Sequence, residues 1–232
     1  MDMVMEVYVK RDFKYRYTFG QMIHTLFLDL DNTLYSKSSG LMDAIRDRII
    51  SYMSNIMQMS DTQIAEVRAY SLKKYGTTLI GLMELYGIEK QHYLDYVHDL
   101  NLNEFLVKNN TVIETLKSLP QRKVIFSNAD SGHIQRVLDF LEISQFFDCI
   151  IDVHVLMPNV KPQPEAFHKA LKAANLSSWE GCVFIDDYLP NVQAAEKLGI
   201  FSVLMDETSM QEYPRRISSI ESIKDFTIKE QR

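Results

Sequence analysis

Cysteine is scarce in this chain: there are two in 232 residues, Cys149 and Cys182, far apart and each inside a short apolar run. No CxxC pair occurs and no disulfide framework is suggested, so both are expected to fill core. Long apolar runs are missing too. No window approaches the ~20 apolar residues of a membrane-spanning helix, and the first residues, Met1 to Glu6, lack the basic flank and apolar stretch of a signal peptide. A cytoplasmic protein that does not engage membranes is the expectation. Nor is there a basic excess, because 25 Lys and Arg stand against 31 Asp and Glu for a formal net charge of −6. That balance gives no general attraction for a nucleic-acid polymer, so any anionic substrate must be held by local charge. No internal repeat or low-complexity stretch stands out.

What is present is an ordinary globular apolar content, 46 %, enough for one domain with a modest insert. Short runs without polar interruption occur at Leu26–Leu28, Val124–Phe126, Cys149–Ile151, Val183–Ile185 and Ser202–Leu204, as strands covered on both faces would show. Helical patterns lie between most of them. Asn110 can cap a helix running through Leu119 before Pro120, and Leu189 to Leu198 forms another that Gly199 stops. Strands alternating with helices predict an α/β fold with a Rossmann-like parallel sheet. Residues 41–108 break the rhythm, since their apolar spacing is helical throughout. There Ser60 and Gln63 form a capping box, Gly76 closes that helix, Thr78 can cap the next and Gly87 ends it. Met42, Met53, Met57, Met59 and Met83 within it are expected to fill core. The division predicted is a core of residues 23–40 and 109–232, with a small all-helical insert at 41–108. Residues 1–22, which include Lys10, Arg11, Lys14 and Arg16, fit an added β-hairpin, a tail, or sequence upstream of a start at Met22.

In an open parallel sheet, ligands bind beyond the carboxyl ends of the strands, so residues following each apolar run gather on one rim. Read this way, Asp29 and Asp31, then Ser127 and Asn128, then Lys161, and finally Asp186 and Asp187 converge. A single acid at a strand end is often only a helix cap. Four together repel by roughly 1 to 4 kcal/mol per pair at surface-like dielectric, so a cation among them is implied. A carboxylate-rich set without histidine or cysteine at ligand spacing points to Mg²⁺.

Four segments, DLDNTLY, IFSNAD, KPQPEAF and FIDDYLPN, resemble in order the motifs of the haloacid dehalogenase-like hydrolase superfamily. The wording DNTLY, KYGTTLIGL and KVIFSNAD resembles its pyrimidine 5'-nucleotidase branch, and the helical insert sits where the family carries a cap domain. The resemblance implies Asp29 as nucleophile toward a phosphoryl group and Asp31 as general acid and base whose backbone carbonyl also binds the metal. It implies Ser127, the amide of Asn128 and Lys161 as phosphate holders, Asp187 and Asp186 as metal ligands, and Thr33 as support for the Asp29 loop. Asn191 stands where many relatives place another acid. Tyr75, Thr77, Thr78 and His98 are candidate substrate contacts, with helix capping the rival role for the threonines and a surface or core role for His98.

The implied activity is hydrolysis of a small phosphomonoester, such as a pyrimidine nucleoside 5'-monophosphate, by a monomer or weak homodimer. A sugar-phosphate phosphatase or phosphomutase would keep the same residues. A haloacid dehalogenase needs neither Asp31 nor the Asp186–Asp187 pair, and a phosphate- or nucleotide-sensing protein could dispense with the nucleophile.

Overall fold

The computed structural model describes residues 23–224, so the readings made for residues 1–22 lie outside the described residues. Six strands, β1 (Thr25–Leu28), β2 (Arg122–Phe126), β3 (Cys149–Ile151), β4 (Cys182–Asp186), β5 (Phe201–Met205) and β6 (Arg216–Ile217), form one parallel sheet in the order β3-β2-β1-β4-β5-β6. Strand β6, two residues long, carried no readable sequence signal. The order reverses at β1, whose neighbours β2 and β4 lead away on opposite sides, so the crevice of a switch point opens beyond its carboxyl end.

Side chains alternate across the sheet with period two. Leu26, Leu28, Ile125, Val183 and Ile185 join one apolar layer, whereas Phe27, Val124, Phe126, Cys182 and Phe184 join the other. The second layer is rich in rings: Phe27 lies 4.6 Å from Trp179, and Phe167 lies 5.4 Å from both Phe126 and Phe184 in edge-on contacts, the arrangement that aromatic quadrupoles favour. Cys182 is buried and Cys149 partly buried, both as free thiols.

Residues 41–108 hold helices α1 (Leu41–Ser51), α2 (Asp61–Tyr75), α3 (Thr78–Tyr86) and α4 (Lys90–His98), and no strand. Their apolar side chains, including fully buried Met53, run into the ring-rich layer, and Met42, Met57, Met59 and Met83 pack against the two layers. The Ser60–Gln63 capping box forms, and Gly76 and Gly87 end α2 and α3 in left-handed conformation. After the insert come α5 (Asn110–Ser118), α6 (Ser131–Phe140), α7 (Val153–Leu156), α8 (Pro164–Ala173) and α9 (Leu189–Lys197).

Two caps differ from expectation by one residue. Asn109, not Asn110, caps α5 by accepting from Thr111 N at 2.9 Å, and Thr77, not Thr78, caps α3 by accepting from Ile80 N at 3.3 Å. The Asn-Asn and Thr-Thr pairs are chemically equivalent, and only the extended backbone at the first member of each selects it. Helix α5 stops at Ser118 because Leu119, preceding Pro120, is held extended at ψ 117°.

Helices α2 and α3 approach closely where Gly81 faces Ser71. A methyl group at Gly81 would overlap the Ser71 side chain and come within 3.1 Å of its Cα. Gly81→Ala is therefore expected to lower stability by roughly 1–3 kcal/mol from overpacking, exceeding the ~1 kcal/mol that alanine's helix propensity returns. A urea midpoint shifted down at unchanged slope would register this, and an unchanged or raised midpoint would contradict the packing.

Candidate active site

The rim beyond β1, β2 and β4 collects the acids and the lysine. Asp29 follows β1 and still donates its N–H to Ile185 O at 2.9 Å, which holds it level with the end of β4. Asp186 closes β4 and Asp187 follows it. Between the first two acids and Thr33 the chain turns tightly, with Asn32 in left-handed conformation at φ 58°. Asparagine tolerates that region better than most residues. Its Nδ2 donates to Asp187 Oδ2 at 3.3 Å, joining the two acidic loops. Ser127, after β2, is anchored by its N–H to Ile151 O at 3.0 Å, and its Oγ accepts from Ala129 N at 3.1 Å. The Asn128 side chain makes a reciprocal pair with the Lys161 backbone, accepting from its N at 3.0 Å and donating to its O at 2.9 Å.

Lys161 is the buried centre of the site, 1 % exposed. Its Nζ donates to Asp29 Oδ1 at 2.8 Å, Asp186 Oδ2 at 2.6 Å and Phe126 O at 2.6 Å. All three protons are thereby engaged. Burial alone would lower its pKa, but Asp186 and Asp29 reverse that and raise it, so the ammonium stays charged. Asp29 is pushed well above the usual carboxylate range, chiefly by burial, with Lys161 opposing and Asp186, Asp187 and Asp31 adding repulsion. Asp187 is raised to about 7, by burial first and Asp186 next. One ammonium does not neutralise this cluster.

A cation would. Asp29, Asp186 and Asp187 each place a carboxylate oxygen within 4.8 Å of the others. Asp186 already accepts from Lys161, from Tyr188 N at 2.8 Å and from Asn191 Nδ2 at 3.1 and 3.0 Å. Its remaining capacity suits a water-bridged role, whereas Asp187 keeps an oxygen without a described partner. An all-oxygen donor set with excess negative charge fits a hard divalent ion. Thr33 reaches Asp29 Oδ2 only at 3.5 Å, a weak contact.

Asp31 is built differently. Its side chain turns from the cluster to residues that the sequence reading missed: Tyr35 Oη donates to Oδ1 at 2.7 Å, and His133 Nε2 lies 3.0 Å from the same oxygen. Burial pushes its carboxyl up, but the charge and hydrogen bond of His133, with Tyr35 and His98, outweigh it and hold it below the ordinary range. His98, at the end of α4, stacks on His133 with ring centres 4.4 Å apart and planes 20° apart. Its Nδ1 lies 2.6 Å from Asp130 Oδ2, a short but poorly aligned contact in which neither atom has another partner among the described residues. Here Asp130 and His133 stand three apart on the first turn of α6, just past a strand end, and that placement was the available signal.

A cavity of about 470 Å³ lies between this rim and the helices of residues 41–108, within the ~300–1,000 Å³ range of small-molecule sites. Asp29, Asp31, Ser127, Asn128, Lys161, Asp186 and Asp187 line one side, and Thr77, Thr78, His98, Arg46 and Arg68 the other. Tyr75 is not among its walls; its ring packs edge-on against Tyr70 at 6.2 Å with Lys74 Nζ above it at 4.9 Å. No helix among the described residues is long and apolar enough to cross a membrane.

Comparison with known proteins adds the lineage. The chain is 27 % identical over 192 residues to phosphate metabolism protein 8 of Saccharomyces cerevisiae, covering 77 % of this chain and 60 % of that one. It is 27 % identical over 208 residues to glyceraldehyde 3-phosphate phosphatase of Pyrococcus abyssi, covering 78 % and 81 %. The solved L-2-haloacid dehalogenase of Xanthobacter autotrophicus superposes with a TM-score of 0.60 at 15 % identity, covering 88 % of this chain and 98 % of that one, which speaks to the fold alone. A family profile described as haloacid dehalogenase-like hydrolase matches residues 23–199, and the chain belongs to that family.

Proposed function

We propose that the protein is a magnesium-dependent phosphatase that hydrolyses small phosphomonoesters through an aspartyl-phosphate. The observation that carries this reading is the pair of acids two residues apart with separate partners: Asp29 held by Lys161, Asp31 held by Tyr35 and His133. Asp31, ionised in the free chain, takes up a proton as the dianionic ester binds beside it; Asp29 then attacks phosphorus and displaces the alkoxide, to which Asp31 delivers that proton. Asp31 then takes a proton from the water that cleaves the acyl phosphate, which returns Asp29 and releases inorganic phosphate. Ser127 and the Asn128 amide bind the phosphoryl oxygens, and Lys161 opposes the rise of the Asp29 pKa, favouring its ionised form, and adds positive charge beside the incoming phosphate. Magnesium would be held by Asp29, Asp187 and the Asp31 carbonyl, with Asp186 through water, and would supply the charge neutralisation that lets a dianionic ester approach. The helices of residues 41–108 act as a cap that excludes bulk water.

For substrate, the motif resemblance described above favours a pyrimidine nucleoside 5'-monophosphate. Arg68 supports it, because this guanidinium lines the cavity and its buried Nε has no hydrogen-bond partner among the described residues. Its terminal nitrogens also make no hydrogen bond to a described residue, and they are the atoms that would meet the carbonyl oxygens of a base. A sugar phosphate is the second reading, favoured by the name of the Pyrococcus relative.

Three outcomes are expected. With magnesium, 4-nitrophenyl phosphate and pyrimidine nucleotides release phosphate, and excess EDTA or Asp29→Asn abolishes release in a malachite-green assay. Full turnover in EDTA would refute the metal role, and nucleotide binding with inert parent and variant would favour a sensor.

The second concerns pH. Asp187, raised to about 7, binds a proton in the folded chain that the unfolded chain has lost between its unfolded pKa, near 4, and 7. Asp187, with Asp29 acting in the same direction and His98, lowered by burial, partly opposing, makes metal-free stability fall as pH rises through that window, and magnesium removes the contribution of the two acids while releasing protons. Melting curves across the window, with and without magnesium, measure this; parallel profiles would contradict it.

Third, Arg68→Met is expected to raise KM for the preferred nucleotide about tenfold, the loss of a hydrogen bond to a charged donor, with a much smaller change for 4-nitrophenyl phosphate. Equal changes on both esters would remove Arg68 from base recognition.

A further inference from the structure

Asp31 is fastened by one oxygen only. Tyr35 and His133 both engage Oδ1, and no described residue hydrogen-bonds Oδ2. His133 is itself 2 % exposed and cannot swing without displacing neighbours. Behind it, His98 covers the flat of its ring, and Asp130 meets His98 from one side while its other oxygen accepts the His133 backbone N–H at 3.1 Å. One turn further along α6, Arg136 donates to His98 O and to Leu100 O, each at 2.6 Å. Asp130, which caps α6, and His133 and Arg136 on its first turns thus stand at spacing three, and together they grip the end of α4. His98 belongs to the helical segment over the cavity and lines that cavity as well as a second, outer one of about 730 Å³.

We infer that His133, braced by His98 and Asp130, is a positioning residue: it clamps Asp31 Oδ1 so that Oδ2 alone is presented to the leaving-group oxygen, and it makes that presentation depend on where α4 sits. This inference rests on the phosphatase reading and adds to it a link between the cap and the proton donor. The bond that breaks is phosphorus to leaving-group oxygen, and the proton that compensates it comes from Asp31 and is recovered from the attacking water. A good leaving group departs without that proton, whereas a poor one does not. Loss of positioning should therefore appear in proportion to leaving-group basicity, which general loss of structure would not reproduce.

The test uses three esters of similar size, 4-nitrophenyl, phenyl and benzyl phosphate, with the full chain and saturating magnesium. For His133→Leu, kcat/KM is expected to fall about 10- to 100-fold on benzyl phosphate, up to the lower limit of the roughly 100- to 10,000-fold that proton-transfer catalysis contributes, and far less on 4-nitrophenyl phosphate. His133→Gln, which restores an N–H donor, should recover most of the loss. His98→Phe keeps the stacked ring but loses the Asp130 contact and should show the same slope, less steeply; it also serves if His133→Leu does not fold. A uniform fall across the three esters, in either variant, would overturn the inference while leaving the phosphatase reading intact. A parent chain inert toward all three would overturn that reading and the inference with it.

Discussion

Lysine cannot be buried as an ammonium unless its lost hydration is replaced, and at Lys161 the replacement comes from three places at once: Asp29 after β1, the Phe126 carbonyl ending β2, and Asp186 ending β4. A single charge therefore ties together the ends of the three strands around the topological switch. Taking the ammonium away would leave two buried carboxylates uncompensated, a kind of loss worth about 3–5 kcal/mol. Stability and chemistry share this residue. The surrounding structure keeps it in place, because Asn128 pins its backbone on one side and Gly76 presses on the other, where an added Cβ would lie 2.8 Å from Lys161 O. That close approach is also where α2 meets the catalytic rim, so the helical segment and the lysine loop are set by the same contact.

The two acids of the first motif differ in their partners and not in their side chains, and the separate roles proposed for them follow from that difference. Asp29 faces Lys161 and two further carboxylates, in surroundings whose negative charge calls for a metal. Asp31 faces a phenol and an imidazole that leave one of its oxygens free. The chain leaves the strand path in a turn closed by Leu34 N–H on Leu30 O at 3.0 Å, which takes Asp31 out of line with Asp29 so that the two acids point into separate environments. A strand continued without that turn would have placed both side chains on one face, within the same field.

Much of this was legible in the sequence, since uninterrupted apolar runs followed by acids are read directly once a parallel sheet is assumed. Asp29, Lys161, Asp186 and Asp187 meet at the rim for that reason. What escaped follows a different rule. His133 and Asp130 are ordinary helix-start residues by local pattern, and only the long-range approach of α4 turns them into partners of Asp31. His98, offered as a substrate contact with a surface or core role as the rival, could not be tied to Asp31 for the same reason, and Tyr75 points away to Tyr70 because it ends α2 before the left-handed turn at Gly76, whereas Thr77 and Thr78 open α3 beyond that turn and line the cavity. The Asn191 amide stands where an acid was expected and donates to both Asp186 oxygens, a substitution that lowers the negative charge of the cluster by one.

Similarity of fold does not choose between phosphate esters and haloacids, since a dehalogenase superposes on this chain. The choice lies in what the leaving group demands. Halide departs as a stable anion and asks the protein for no proton, so a dehalogenase has no use for a second acid with one oxygen clamped and the other free. An alkoxide is a strong base and does ask for one. This chain devotes Tyr35, His133, His98 and Asp130 to holding Asp31, and a cluster of three further carboxylates beside it would repel a substrate anion unless a divalent ion were there to receive it. Both features cost stability in a buried setting, and the proposed transfer of a phosphoryl group with departure of a basic oxygen gives each of them a use.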